Sequence, residues 1–420
     1  MPTPSTGGAR TSPLLFIFLT VFIDLLGFGI VLPLLPVYSK AYGASEVALG
    51  LLFSCFSGVQ LLFAPMWGRL SDRVGRRPVL IGGLLGTAGS YLMFAHADSM
   101  AMLFASRLLA GFFGANISTA QAYIADVTTP QNRAKGMGLI GAAFGLGFTL
   151  GPLFGGELTA ISAQAPGYFA AGLSLCAAVF GFLRLPETAR SGKGSRVFKA
   201  TQLKRAFGEP RIGTLMLLTY LSVVAFAAFE AMFTRFGLAR FPAVFGLPGA
   251  VDDATLDQIM EAAPIAGRYL AGIGVIAAVI QGGLIRRLVP RFGEPTLTVA
   301  GPVFLGASLA IVGLGGTLGS WGLVIAGCVL MPVGFGLNNP ALIGLISRAS
   351  PEEEQGSFLG INQSVSSLAR MTGPPIAGVV FTLLGAQAPF YAAALVLLCA
   401  TLVALNYRKR FGASFPRASE

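Results

Sequence analysis

The chain has 420 residues and a formal net charge of +11, but only 11% of its residues are charged while 54% are hydrophobic. A water-soluble domain averages about 25% charged residues, so this chain has too few to cover a surface that faces water. Its basic residues form short clusters between apolar runs and no continuous basic face, which excludes a nucleic-acid-binding protein. The composition therefore predicts an integral membrane protein built from helices, because a helix satisfies its own backbone hydrogen bonds in lipid.

Twelve apolar runs are long enough to cross a bilayer, and we number them span 1 to span 12 in chain order. They cover residues 14–39, 46–67, 78–96, 100–124, 136–157, 167–184, 212–235, 264–285, 296–315, 320–346, 357–384 and 388–407.

Span 1 carries a carboxylate deep in its apolar interior. Asp24 lies about ten residues into the span, hence roughly 15 Å into a hydrocarbon core about 30 Å thick. Arg107 lies at a comparable depth in span 4, and charges in such places usually face the bundle interior and pair. We predict that both residues line a cavity and take part in proton coupling, with Gln60 and Asn116 on the same cavity wall. The alternative is a static pair that orders the helices.

The connection after span 2 is rich in charge. We predict that it latches the ends of neighbouring helices in one conformational state, with Asp72 near the start of the helix that contains Pro78. Topology control by its positive charge is the alternative. The predicted conformational gate comprises Gly68, Asp72, Arg73, Arg76 and Arg77, joined by Asp126 and Arg133 and by Gly147, Gly151 and Pro152 of span 5.

Spans 5 and 11 share a pattern of small residues. The glycines and the proline of span 5 recur in span 11 at one constant offset: Gly138, Gly151, Pro152 and Gly156 correspond to Gly360, Gly373, Pro374 and Gly378. Proline removes a helix hydrogen bond and glycine removes the side chain, so we expect a bent or thinned helix, with plain close packing as the alternative. An internal repeat of this kind is typical of transporters in which one half rocks against the other.

The longest polar connection divides the chain into two six-helix halves. Residues 1–185 form the first predicted bundle, residues 186–211 a basic linker, and residues 212–420 the second bundle. In the second bundle, Glu230 is a candidate for proton coupling near the outer end of span 7. Asn338, in a predicted interruption of span 10, and Arg370 in span 11 are candidates for the substrate cavity.

The basic residues are distributed unequally between the two ends of the predicted bundle. The connections at one end, which we call the basic end, carry most of the Lys and Arg residues, including Arg69 to Arg77, Arg286, Arg287, Arg291 and Arg348. The opposite end has only Lys40, Arg235, Arg240 and Arg268. The positive-inside rule predicts that the basic end and both termini are cytoplasmic, which requires an even number of spans.

These motifs resemble those of a known family. The run from Gly68 to Pro78 resembles the signature loop between helices 2 and 3 of the major facilitator superfamily, and Arg107 to Gly111 is similar to its buried-arginine motif. The stretch from Asp24 to Pro36 resembles helix 1 of its twelve-helix drug/proton antiporters, the tetracycline-resistance branch in particular. Gly147 to Gly156 resembles the motif associated with antiporters. Tetracycline exporters usually carry an acidic residue before an aromatic in helix 3, where this chain has Ser90 and Tyr91, so a tetracycline–metal complex is not the expected substrate.

The resemblance implies two pseudo-symmetric six-helix bundles and proton-coupled efflux of small hydrophobic compounds or drugs by alternating access, in a bacterial inner membrane. It implies a transporter that is not an enzyme, works as a monomer with protons and a small-molecule substrate, and needs no cofactor or metal. Uptake or uniport of a metabolite by the same fold is the alternative within transport, and a membrane sensor without transport is the alternative outside it. The chain has no G-x-x-x-x-G-K-[ST] loop, so direct ATP drive is not expected.

Overall fold

The computed structural model describes residues 13–128, 130–187, 205–351 and 354–412, and within these ranges it is built from helices. In the described chain, ten helices are long and apolar enough to cross a membrane. The other two predicted spans correspond to the interrupted helix of span 4 and to the helix Pro130–Thr159 of span 5. Large apolar side chains on the outside of the bundle, such as Leu62 and Leu383, each 74% exposed, form the surface expected of a protein surrounded by lipid.

The observed helices confirm every predicted span and extend most of them. Span 1 consists of Pro13–Val31 and Leu34–Ala41, and span 4 of Met100–Phe113 and Asn116–Val127. Span 8 is Leu256–Val279, continued through a π-helical turn at Ile280–Leu284 to Ile285–Phe292. The remaining spans, in order, are Glu46–Val74, Arg76–Ala95, Pro130–Thr159, Ala165–Arg184, Pro210–Arg240, Glu294–Leu318, Trp321–Ala349, Gln355–Leu384 and Ala388–Phe411.

Capping residues explain why the helices begin before or end after the apolar runs. Ser45 accepts a hydrogen bond from the backbone of Ala48 and fixes the start of span 2. Thr255 and Gln258 form a capping box that starts span 8 at Leu256, eight residues before the apolar run at 264. Hydropathy identifies only the part of a helix that lies in hydrocarbon. The polar first turn of such a helix is therefore not included in the predicted span.

The breaks fall at other places than predicted. Span 10 runs without interruption through Pro340, so the predicted break at Asn338 is wrong. Span 5 also continues through Pro152. The observed breaks lie at Leu32 and Pro33 in span 1 and around Gly114 in span 4. A proline inside a transmembrane helix is tolerated where neighbouring helices accommodate the freed backbone groups.

The two halves meet through the repeated helices. Span 5 packs against span 8, and span 11 packs against span 2. The carbonyl group of Pro152 faces Gly267 of span 8, and the equivalent carbonyl group of Pro374 faces Gly50 of span 2. The sequence repeat is therefore also a structural repeat, in which each Gly-Pro helix approaches the other half through a glycine.

Most of the predicted linker, residues 188–204, lies outside the described residues. Leu185 is buried at its start, and Tyr123 donates a hydrogen bond to the carbonyl oxygen of Pro186 at 3.0 Å. The start of the linker is therefore held against the first six spans.

Candidate functional site

A cavity lies where both halves face each other near mid-membrane. The space between its lining residues is free of atoms over about 540 Å³. This volume includes the part of the cavity that is open to solvent. Spans 1 to 5 and span 11 supply its lining: Asp24, Leu25, Phe28, Phe56, Gln60, Thr87, Tyr91, Ala110, Gly114, Phe148, Gln363 and Arg370. A mostly apolar wall with a few converging polar groups is typical of a small-molecule site.

Asp24 is partly exposed to this cavity. Among the described residues it has no hydrogen bond and no ion pair, so its oxygens are available to water, a proton or a ligand. One turn later, Gly27 lies against the ring and hydroxyl group of Tyr91, which brings Tyr91 close to span 1. An ionisable group that faces a cavity at this depth is a candidate for carrying a proton.

Arg107 occupies a separate, smaller pocket beside the cavity, with Phe28 and Phe56 lining both. It is 2% exposed, and its guanidinium carbon lies 5.2 Å from the ring centre of Phe94 and 5.9 Å from that of Tyr91. Its Nη2 atom has no hydrogen-bond partner in the described chain. Two aromatic faces therefore stabilise this cation, since rings attract a cation over their faces.

The predicted pairing of Asp24 with Arg107 is not present. In the part of the chain that the structure describes, no ion pair joins the two residues. Tyr91 lines the cavity beside Asp24, and its ring faces the guanidinium of Arg107, so it interacts electrostatically with both residues. The residue that interacts with both the acid and the cation is thus a tyrosine of span 3, which sequence inspection singled out only for the acidic residue missing before it. That preceding residue, Ser90, is buried and donates its hydroxyl hydrogen bond to the carbonyl oxygen of Thr87 at 2.7 Å.

In the second half, Arg370 faces the cavity and Glu230 lies behind it. Glu230 is buried, ten residues before the end of span 7 at Arg240 and five before Arg235. The helix is longer than its apolar run, which places Glu230 inside the bundle. Glu230 and Arg370 interact electrostatically, but they are farther apart than an ion pair of 4 Å.

Of the other predicted cavity residues, one lines the cavity, one does not, and one has a side chain outside the described residues. Gln60 lines the cavity and donates a hydrogen bond to the carbonyl oxygen of Gly114 at 2.9 Å, at the break in span 4. Asn338 is not among the cavity-lining residues, because its amide is buried and donates to Ser222 of span 7 at 2.8 Å. The side chain of Asn116 lies outside the described residues.

The glycines of span 5 sit at helix contacts. A Cβ atom on Gly29 would lie 2.6 Å from the carbonyl oxygen of Gly147 and 3.1 Å from the Cα atom of Gly151. Spans 1 and 5 therefore touch backbone to backbone at this point, one turn beyond Asp24. Pro152 follows on the side that faces span 8.

The charged connection after span 2 forms a network at the basic end. Arg76 pairs with Asp72 at 2.6 Å and with Asp126 at 3.1 Å, which ties span 3 to spans 2 and 4. Arg77 donates to the carbonyl oxygen of Phe182 in span 6. Arg73 is exposed, and Gly68 has open space around it. The side chain of Arg133 is not among those the structure describes.

Glu187 completes this network, and no motif in the sequence pointed to it. Its carboxylate accepts hydrogen bonds from the backbone amides of Arg76, at 2.8 Å, and Arg77, at 3.4 Å, at the start of span 3. A carboxylate is favourable at the amino end of a helix. Gly75 precedes this end with a φ of +113°, and a Cβ atom there would lie 2.7 Å from the Glu187 carboxylate. The predicted position of Asp72 at this helix end is therefore occupied by Glu187.

Ion pairs join the two halves at the opposite end. Three of the four basic residues there cross from one half to the other: Arg235 to Glu46 at 3.1 Å, Arg268 to Glu157 at 2.5 Å, and Lys40 to Asp252. Arg235 is 2% exposed and also donates to the carbonyl oxygen of Ala44. We call these three pairs the interhalf pairs. They hold the opposite end closed in this conformation.

Proton binding to Asp252 does not open this end near neutral pH. Its partner Lys40 lowers the pKa of the Asp252 carboxyl below the usual value of 3.8. A carboxyl group with a lowered pKa contributes its stabilisation above its ordinary pKa and loses it only as the pH falls through the lowered one. The pair therefore persists throughout the physiological range, so any pH dependence of transport near neutrality has to originate elsewhere.

We expect Arg235→Gln to weaken closure of the opposite end, because it breaks the buried interhalf pair and leaves Glu46 without its partner. Spin labels at exposed Ile161 of the first half and Ala250 of the second would report the distance between halves. The variant should show a larger longer-distance population than the parent chain.

The matched control is Arg240→Gln. Arg240 lies five residues further along the same span, but it donates to the carbonyl oxygen of Gly316 within the second half, at 2.7 and 3.1 Å. The distance distribution of this variant should equal that of the parent. Identical distributions for both variants would contradict the assigned role of Arg235.

Comparison with known proteins agrees with this architecture. The sequence model of the Major Facilitator Superfamily matches residues 17–374 and 303–419. The chain is 31% identical to Multidrug resistance protein 1 of Bacillus subtilis strain 168, across 90% of this chain and 91% of that protein. It is 30% identical to the class B tetracycline resistance protein of Escherichia coli, across 86% of each. The crystal structure of the human organic anion transporter MFSD10 superimposes with a TM-score of 0.69 at 27% identity, covering 95% of this chain and all of that one.

A match of this length, with relatives that are transport proteins of equal size, identifies the fold and the general class. The chain is an integral, multi-pass membrane transporter that acts on small molecules, and it is not an enzyme. It belongs to the major facilitator superfamily.

Proposed function

We propose that this chain exports small, largely hydrophobic compounds in exchange for protons, by alternating access across a bacterial inner membrane. The observation that carries the proposal is a mid-membrane cavity with a carboxylate, Asp24, in its wall that pairs with no other residue the structure describes. A group in this position can hold a proton or face a substrate, and competition between the two couples their movements. Relatives named for multidrug and tetracycline resistance support the export of drug-like compounds.

The orientation follows from the charge distribution. We place the basic end and both termini in the cytoplasm, in line with the positive-inside rule. The interhalf pairs then join the two halves at the external side in this conformation, and we propose that the cavity is reached from the cytoplasm. This is the state in which an exporter loads its substrate.

A proton gradient is sufficient to drive this exchange. One charge that crosses 100 mV releases about 2.3 kcal/mol. At about 1.4 kcal/mol per tenfold, this supports a substrate gradient of roughly forty-fold for each charge moved. A single proton entering for each neutral substrate that leaves is therefore enough for modest resistance.

Uptake or uniport of a metabolite is the second candidate. The human relative MFSD10 is an organic anion transporter by name, so the fold alone does not select drug export. The direction of coupling decides between the candidates, since an antiporter and a symporter respond oppositely to the same proton gradient.

Inverted vesicles from a bacterial host without its own drug pumps provide the test. Respiration acidifies their interior, which then mimics the cell exterior. Vesicles with this chain should accumulate at least one compound from a panel that includes ethidium and ciprofloxacin, and a protonophore should abolish the accumulation. Accumulation that survives the protonophore, or that a sodium gradient alone drives, would refute proton antiport.

We expect Asp72→Asn to slow turnover several-fold while the substrate concentration at half-maximal rate stays nearly constant. Asp72 pairs with Arg76 at the basic end and does not line the cavity, so its loss affects helix movement rather than binding. Initial transport rates over a range of substrate concentrations separate the two effects. A changed half-saturation at unchanged maximal rate would be inconsistent with a role in the conformational cycle.

A further inference from the structure

Four polar residues line the cavity without a hydrogen bond to any other residue that the structure describes. They are Asp24, Tyr91, Gln363 and Arg370, whose polar groups are a carboxylate, a hydroxyl, an amide and a guanidinium. Among the described residues none of these groups has a hydrogen-bond partner, whereas Gln60 beside them is bonded to Gly114. Polar groups inside a membrane protein are normally paired, so four groups around one space without a partner among the described residues indicate a ligand with complementary groups.

Arg370 is the cation of this cavity. Its side chain is partly exposed there, and the acid that acts on it, Glu230, is too distant to bond with it. A guanidinium is planar and presents its N–H donors as a fork, which fits both oxygens of a carboxylate. Gln363 lies two turns earlier on the same side of span 11, about 10 Å along the axis, and offers a second polar contact.

Aromatic rings form the wall supplied by the first half. The ring centres of Phe28 and Phe56 are 4.9 Å apart, and those of Phe28 and Phe148 are 5.8 Å apart. Tyr91 adds a fourth ring from span 3. Such a cluster accommodates a flat aromatic body by stacking and edge contacts.

We infer that the substrates bound best are aromatic molecules with a carboxylate that Arg370 binds and a basic nitrogen that faces Asp24. This inference rests on the proposed export function and names its substrate class. Asp24 lies on span 1 of one half and Arg370 on span 11 of the other, so such a molecule touches both halves at once. A compound with carboxylates alone is repelled by Asp24 whenever that residue is ionised, and a compound with amines alone leaves Arg370 unpaired.

A matched pair of ligands tests the role of the carboxylate. Ciprofloxacin carries an aromatic ring system, a carboxylate and a basic amine, while its ethyl ester lacks only the carboxylate charge. Equilibrium binding of both compounds to the purified protein in detergent is measured without any gradient. Arg370→Gln should weaken ciprofloxacin binding about tenfold or more, because a charge-assisted hydrogen bond is lost. Ester binding should remain within about twofold of the parent value, which also shows that the variant is folded.

Two further variants complete the experiment. Arg370→Lys keeps the charge but loses the fork, so its affinity for ciprofloxacin should lie between those of the parent and the Gln variant. Arg184→Gln makes the same substitution at an exposed position at the end of span 6 and should change neither affinity. Equal losses for ciprofloxacin and its ester in Arg370→Gln, or no loss for either, would overturn the inference. Gradient-driven accumulation of either compound by the parent chain tests the export function separately.

Discussion

Asp24→Asn is expected to abolish proton-driven accumulation while the protein remains folded and still binds a neutral hydrophobic substrate. Asp24 is the cavity carboxylate, it has no bond to any described side chain, and the fold does not depend on it for an ion pair. An asparagine has nearly the same shape but cannot exchange a proton at physiological pH. We expect accumulation in energised vesicles to fall to the level of vesicles without the transporter, and counterflow of labelled substrate without a gradient to persist.

The control for this prediction is Asp253→Asn, which changes an exposed carboxylate in the connection between spans 7 and 8. It should accumulate substrate like the parent. Full gradient-driven accumulation by Asp24→Asn would exclude Asp24 from the coupling mechanism and make Glu230, a buried acid of the second half, the next candidate.

Gly151→Ala is expected to cause a loss of both stability and transport that is large for a single methyl group. The added Cβ atom would lie 2.5 Å from the Cα atom of Gly29 and 2.9 Å from the backbone nitrogen of Ile30. Backbone atoms of a packed helix cannot move aside like the end of a flexible side chain, so spans 1 and 5 must separate. Overpacking of this kind typically costs about 1–3 kcal/mol. Span 1 carries Asp24, so the displacement also disturbs the cavity.

Gly145→Ala provides the matched control for Gly151→Ala in the same helix. A Cβ atom at Gly145 meets no atom within 4 Å, so this variant should unfold at the parent temperature and transport at the parent rate. Thermal unfolding in detergent, together with transport in vesicles, measures both effects. Equal behaviour of the two variants would mean that the glycines of span 5 are not needed for close packing.

The helices were predictable because the bilayer imposes a strong condition on the sequence. Every apolar run of sufficient length became a helix, including the interrupted span 4. The exact ends were less predictable, since caps such as Thr255 with Gln258 depend on a few polar residues outside the apolar run. A proline inside a span, as at Pro340, predicted a break wrongly because neighbouring helices can hold the chain in helical form.

The cavity was predictable in part. Depth within a span suggested Asp24 and Arg370, because a polar group in lipid has to face the interior, and both line the cavity together with Gln60; their roles in transport stay predictions. Depth does not give the rotation of a helix or the identity of its neighbours. For this reason Asn338 was assigned to the cavity, although it bonds to Ser222 inside the second half.

Contacts between distant segments left no readable pattern in the sequence. Glu187 caps span 3 from a position 111 residues away, and Arg235 reaches Glu46 across 189 residues. The four basic residues of the opposite end could be identified from the sequence. Only the fold shows that three of them form ion pairs between the two halves. Tyr91 was similarly inconspicuous, since an aromatic residue in an apolar helix is ordinary until its neighbours are known.

Proton movement driven by substrate tests the central claim most directly. Purified protein is reconstituted into liposomes that contain a pH-sensitive dye, with no initial pH difference, and substrate is added outside. An antiporter carries substrate inward and protons outward, so we predict that the interior becomes alkaline, that Asp24→Asn abolishes this change, and that liposomes without protein show none. Acidification of the interior would identify a symporter, and substrate entry without any pH change would identify a uniporter; either result would contradict the proposed proton antiport.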